Sequence, residues 1–243
     1  MIKRIGLVCA VALTLPLVLG GARRMPGDPP DVIDSGTFTL YLSGTRIGEE
    51  RFVIRWERAG SAGPVFRAGA ELNLKLDGST MRISVALEAL GSRCRPLRYE
   101  AEINGSAATT IVGTFARDRI RLDVRSPRGD EMKEFLGHER VAVLDTHVAH
   151  HYFFVTKLLA GANSAEARII VPRDRNQQLV QVVDEGTEPV SIGSAEMQLR
   201  HIAIVSQTGP TRHVWLDGDR VIKVDVPEHG FFAVRSDTGD SPN

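Results

Sequence analysis

The sequence predicts an all-β architecture: a curved antiparallel sheet or half-barrel with one central helix. Three observations carry that prediction. From Ser35 to Asp237 most of the chain alternates apolar and polar residues with period two. Gly, Pro, Asn and Asp punctuate these runs at short intervals, as turns between neighbouring strands require. Only one segment, about 146–160, has a sustained helical pattern, and Gly161 closes it. Many short strands with tight turns and little helix favour a strongly curved sheet or partly closed barrel. A helix across the concave face of such a sheet would leave an apolar groove, a place for a ligand.

The N-terminal stretch MIKRIGLVCAVALTLPLVLGGARR reads as a secretory signal peptide spanning 1–22. It has a basic start (Lys3, Arg4), an apolar run and small residues suited to cleavage near Ala22. The run from Ile5 to Leu19 is interrupted by Pro16 and is shorter than the roughly 20 residues that span a bilayer. The processed chain is therefore expected in the periplasm or outside the cell, and not as an integral membrane protein. Cys9 lies inside the apolar run rather than after it, which disfavours a lipid anchor. Its removal leaves Cys94 as the sole cysteine, so no intramolecular disulfide forms; Cys94 reads as a small, partly buried strand residue. Residues 23–34, rich in proline and charge, read as a flexible leader, and 238–243 as a disordered tail. The span 35–237 is then a single antiparallel β domain.

Within it, Phe38, Leu40 and Leu42 share one face of a strand, and Phe52, Ile54 and Trp56 one face of the next, with SGTRIG as the turn. Leu72, Leu74 and Leu76 precede a hairpin at Asp77-Gly78, and Met81, Ile83, Val85 and Leu87 follow it. RPLRYEAEI, ATTIVGTFA and RIRLDV continue the meander, with charges such as Arg98, Glu100, Arg119 and Arg121 on the outward face. EMKEFL reads as a turn of helix and VAVL as a short strand. After the helix, six further runs from ARIIVP to FFAVRS are strands, with a hairpin in VWLDGDRVIKVDV around Asp217-Gly218-Asp219.

Hydrophobic residues at 42% and charged residues at 25% place the chain among folded globular domains rather than disordered ones. Thirty basic and thirty acidic residues cancel, which removes the electrostatic case for nucleic acid as a partner. There is no G-x-S-x-G elbow, phosphate-cradling glycine loop or dinucleotide fingerprint. The paired carboxylates Glu49-Glu50 and Asp184-Glu185 lie beside turns and read as solvated charges. His201 and His213 read as satisfied sheet histidines, and Arg212, Arg220 and Lys223 as a solvated strand face.

The stretch LDTHVAHHYFF, 144–154, concentrates histidine and aromatic residues. On a helix His147, His150 and His151 stand at i, i+3 and i+4, a spacing that can chelate a metal, with Asp145 adding an oxygen. It is not the HExxH pattern, because no glutamate lies between paired histidines. The reading that accounts for more residues is a packed helix, capped by Asp145 or Thr146. No cofactor is expected under this reading; zinc on Asp145, His147, His150 and His151 is the alternative.

At FTLYLSGTRIGEERFVI, VAVLDTHVAHHYFF and VWLDGDRVIKVDVP the chain resembles uncharacterised secreted bacterial all-β domains. These share a G-x-x-x-G-x-E turn, a Leu-Asp and His-Tyr helix start, and a W-x-D hairpin running to proline. They are distantly similar to the half-barrel folds of lipoprotein carriers and their outer-membrane receptors. The resemblance implies an exported all-β domain without catalytic residues that holds an apolar ligand. Three functions follow as expectations. The first is a non-enzymatic cell-envelope protein binding a lipid or another amphipathic molecule through Trp56, Tyr152, Phe153, Phe154 and Trp215. The second is a metal-dependent hydrolase centred on Asp145, His147, His150 and His151. The third is a scaffold that pairs with another envelope protein without a small ligand.

Overall fold

The computed structural model describes residues 31–58, 63–76 and 78–236; the signal peptide, most of the leader and the tail lie outside them. Eight strands form the first half: β1 (Asp31–Leu42), β2 (Thr45–Arg58), β3 (Pro64–Leu76), β4 (Ser79–Leu90), β5 (Arg95–Asn104), β6 (Thr109–Phe115), β7 (Arg119–Ser126) and β8 (Gly129–Leu136). After β9 (Val141–Val143) and α1 (His151–Thr156) come β10 (Ser164–Val171), β11 (Asn176–Ile192), β12 (Ala195–Ser206), β13 (Arg212–Asp217), β14 (Arg220–Val226) and β15 (Phe231–Arg235).

All belong to one sheet, ordered β8-β7-β6-β5-β4-β3-β2-β1-β15-β14-β13-β12-β11-β10-β9. Two meanders are thus joined where the first strand pairs the last, with Leu40 opposite Ala233. Every pairing is antiparallel except β9 with β10, which is parallel. A parallel pair needs a crossover, and the segment carrying α1 supplies it. The sheet is open in its ladder but rolled in space. Tyr99 on β5 hydrogen-bonds to Asp145, just beyond β9, and the Gln177 side chain donates to the Leu136 carbonyl at the end of β8.

The alternation read from the sequence sets the inside of this roll. Phe38, Leu40, Phe52, Ile54, Leu72, Leu74, Ile83, Val85 and Leu87 are all buried in one core that continues into α1 and the second meander. Outward charges pair across strands, Arg82 with Glu71 and Arg67 with Glu88, and such exposed pairs contribute little each. A separate small cluster of Val190, Leu199 and Ile222, with Trp215 against it, covers the other face of β11–β14.

Four elements differ from the sequence reading. β1 begins at Asp31, inside the expected leader, because 31–34 pair with β2 across a bulge that disguises the alternation. EMKEFL is strand, not helix: β8 is an edge strand exposed along its length except at the half-buried Phe135, so no period-two pattern marks it. The helix is six residues followed by a 3-10 turn at Lys157–Leu159. His147 has φ 62°, which breaks the chain before α1, and Ala160 at φ 47° ends it. Cys94 lies in the turn between β4 and β5, at φ 50°, and not in a strand.

Candidate functional site

The segment 144–160 runs through the inside of the roll, and strands from both meanders hold it there. His151, Tyr152, Phe153, Phe154 and Val155 are all buried, so α1 is covered on every side. Its N-terminus is not capped locally. Glu50 of β2, 0% exposed, accepts the amide of Ala149 at 2.5 Å and that of His150 at 3.0 Å, and its Oε1 also accepts Nδ1 of His150 at 2.5 Å. Its parity explains the burial: Glu50 shares an inward face with Phe52 and Ile54. The expectation that Glu50 is a solvated turn charge is therefore corrected, and that alternation is the signal that could have found it.

Asp145, a candidate cap and metal ligand, does not cap α1, whose N-cap position is His150. The Asp145 carboxylate accepts the Tyr99 hydroxyl at 2.5 Å, the Arg173 Nε and amide at 3.1 Å each, and the Thr146 amide at 2.9 Å. Burial, then the neighbouring Asp145 charge, pushes the Tyr99 phenol well above its ordinary range. His151 Nδ1 accepts the Asp145 amide at 3.2 Å, which assigns its proton to Nε2. Burial, reinforced by His150 and Arg173, holds the His151 imidazole well below its usual value. His147 is pushed down to about 4, mainly by burial and then by the Arg173 charge. Both imidazoles are neutral near pH 7.

Nδ1 of His147 and Nε2 of both His150 and His151 are buried without hydrogen-bond partners. The rings of His150 and His151 meet edge to face, with centroids 4.6 Å apart. Among the described residues no group of three or more His, Cys, Asp or Glu side chains is placed to hold a metal ion. Asp145, His147, His150 and His151 are neighbours in sequence that the fold sends to different surroundings: the Asp145 carboxylate meets Tyr99 and Arg173, His150 meets Glu50, His151 accepts the Asp145 amide, and His147 packs against Phe231. The Glu50–His150 pair has the composition of a general-base dyad, and at 0% and 1% exposure it is closed off from solvent. Its work is to anchor the inner segment.

Of the aromatic ligand candidates, Tyr152, Phe153 and Phe154 are 4%, 4% and 1% exposed and belong chiefly to the core. Phe153 nevertheless reaches one open end of the roll, where it meets Trp56, Phe66, Pro64 and Ile33 around a cavity of ≈ 420 Å³. Lys157 rims this mouth, 4.8 Å over the Phe153 ring and 2.8 Å from Asp219; Arg220 and Asp34 stand beside it. Trp215 lies elsewhere, on the opposite face of β13. There it stacks on His201 at 4.9 Å, donates Nε1–H to Glu188 at 2.6 Å and carries Lys223 over its ring at 4.7 Å. The expected aromatic site thus divides, with Trp56 and Phe153 together and Trp215 apart.

Two arginines are buried, Arg212 against expectation. Arg212, expected on a solvated face, is 6% exposed and donates to the Gln178 side chain and the Pro210 carbonyl. Arg235, 2% exposed, forms a two-pronged pair with Asp34 at 2.9 and 2.8 Å, tying β15 to β1. Alternation places Arg212 with Val214 and Leu216, and Arg235 with Phe231 and Ala233, so both burials were readable once the inward face was chosen.

No protein-family model matches the chain, and no curated protein matches it. Among solved structures it is similar to a beta-barrel-like protein of a domain of unknown function, DUF1849, from Brucella abortus. The TM-score is 0.50 at 9% identity, over 83% of this chain and 94% of that one. The likeness supports the all-β, barrel-like fold and extends no further. Among the described residues no helix is long and apolar enough to cross a membrane.

Proposed function

We propose that this chain is an exported, non-enzymatic cell-envelope protein that holds a single-chain amphiphile at the open end of its rolled sheet. The observation that carries the reading is the mouth where Trp56, Phe66 and Phe153 converge. Its ≈ 420 Å³ falls within the range of small-molecule sites, and it combines apolar walls with the charged rim of Lys157, Asp219 and Arg220. Ligand chemistry follows from that division, with an acyl chain against the aromatic rings and a polar head at the rim. Each buried methylene contributes about 0.8 kcal/mol, so a chain of about a dozen leaves useful affinity after ordering costs. The signal-like N-terminus supports export, and the engagement of Glu50, Asp145 and His150 in buried structural bonds supports a non-enzymatic role.

The test uses the two tryptophans of the chain. A Trp215→Phe variant leaves Trp56 as the sole indole, whose emission should shift to the blue as fatty acids or lysolipids are added. Native mass spectrometry of the untagged protein should show a matching extra mass that leaves on denaturation. Unchanged emission across the panel together with a bare native mass would sink the reading.

A second reading, a module that pairs with another envelope protein, is favoured by β8. This edge strand exposes Met132 and Leu136 at 55% and 79%, an unpaired ladder that another strand can extend. A photocrosslinker at Met132 that captures the same protein reproducibly in cells supports it, and a monomer with no capture counts against it.

A further inference from the structure

The opposite end of the roll carries a second cavity, of ≈ 410 Å³, with a different character. It opens where β4 and β6 begin and β5 and β7 end, the reverse strand ends from those around Trp56 and Pro64. Its floor is apolar, formed by Met81, Ile103 and Ile111. Its rim is cationic: Arg128, Arg173 and Arg175 line it with one carboxylate, Glu131, and that carboxylate is paired to Arg175. Arg128 sits exposed on the β7–β8 turn. Arg173 spends its Nε on Asp145, while its Nη2 is buried with no hydrogen-bond acceptor.

We infer that this second mouth binds the head group of an anionic single-chain amphiphile, with a carboxylate or phosphate monoester between Arg128 and Arg173 and the first part of the chain over Met81 and Ile103. Charge complementarity selects the occupant. Guanidinium forks suit carboxylate and phosphate oxygens, and Arg128 and Arg173 both line this mouth. The apolar floor adds the requirement for a chain, which a free inorganic anion lacks. The inference takes its ligand class from the amphiphile reading but involves none of the residues of the Trp56 mouth.

A dodecyl probe bearing a diazirine on the chain, prepared as the carboxylate and as the uncharged alcohol, tests it on the full mature protein. The carboxylate probe should label peptides containing Met81 or Ile103, and the alcohol should label them at least tenfold less. Arg128→Glu, at an exposed turn, should cut that labelling tenfold or more, and Arg128→Lys should restore most of it. Equal labelling by the two probes, or protection by inorganic phosphate as strong as by unlabelled dodecanoate, overturns the inference. Labelling confined to the Trp56 mouth overturns it while leaving the proposed function standing; labelling at neither mouth removes both.

Discussion

Glu50 caps the inner helical segment from 99 residues away, its carboxylate receiving the amides of Ala149 and His150 and the imidazole of His150 at once. One buried charge thus fixes the path of 144–160 against β2. Asp145 does the same against β5 and the loop after β10, through Tyr99 and Arg173.

Replacing Glu50 by alanine strands two amides and an imidazole in the core. The expected loss is about 3–5 kcal/mol of unfolding free energy, the usual scale for breaking a buried charged network. Glu50→Gln keeps one acceptor and should lose less. Urea denaturation followed by far-ultraviolet circular dichroism reads both, and a loss below about 1 kcal/mol for Glu50→Ala would contradict the cap.

Acid should destabilise the protein before its carboxylates titrate. The folded state holds His147 down at about 4 and His151 well below its usual value, whereas both are near 6.5 when unfolded. Below about 6.5 the unfolded chain therefore binds more protons, and stability falls as pH drops toward 4, by on the order of 3 kcal/mol for His147 alone. His147→Asn tolerates the left-handed backbone at φ 62° and cannot titrate, so its stability should fall less steeply between pH 6.5 and 4. Parallel curves for the variant and the parent chain would refute the assignment.

Opposite behaviour is expected in base. Tyr99 is held well above its ordinary value, so its contribution is complete below about pH 10 and is lost as the unfolded phenol ionises above it. Tyr99→Phe should remove this alkaline loss while lowering stability at neutral pH, because Asp145 then lacks its 2.5 Å donor. Thermal melts at pH 7 and pH 11 separate the two effects.

Gly48 follows the β1–β2 bulge, and a Cβ there would lie 1.9 Å from the Asn73 carbonyl oxygen of β3. Gly48→Ala must therefore push β2 away from β3 and should cost at least about 1–3 kcal/mol. With Gly44 in a left-handed turn at φ 77° and Glu50 as the cap, each fixed letter of the G-x-x-x-G-x-E pattern has a structural role.

Cys94 is buried, and desolvation pushes its thiol up to about 12. Iodoacetamide should leave it unmodified in the native protein at pH 8 and alkylate it within minutes in denaturant. Rapid native alkylation would contradict the burial.

Alternation was legible wherever one strand face meets water. Phe38 and Leu40, Phe52 and Ile54, and Ile83 to Leu87 were assigned to the core from period two alone, and the Asp217-Gly218-Asp219 hairpin from its turn residues. β8 was not legible because GDEMKEFL is exposed except at Phe135, and one inward residue makes no alternation. The helix was overextended because a helical pattern does not reveal that His147 adopts a left-handed backbone.

The sequence by itself determined the fold class, because strand periodicity and turn chemistry are local properties that survive without knowledge of partners. It also determined which residues are charged, but not which charges are buried. Only the tertiary structure decided that Glu50 meets His150, that Asp34 meets Arg235, and that Trp56 shares a mouth with Phe153 while Trp215 does not. These pairings join positions tens to hundreds of residues apart, through the curvature of the sheet and the β1–β15 seam. Curvature is a collective outcome of packing, and no local pattern encodes it.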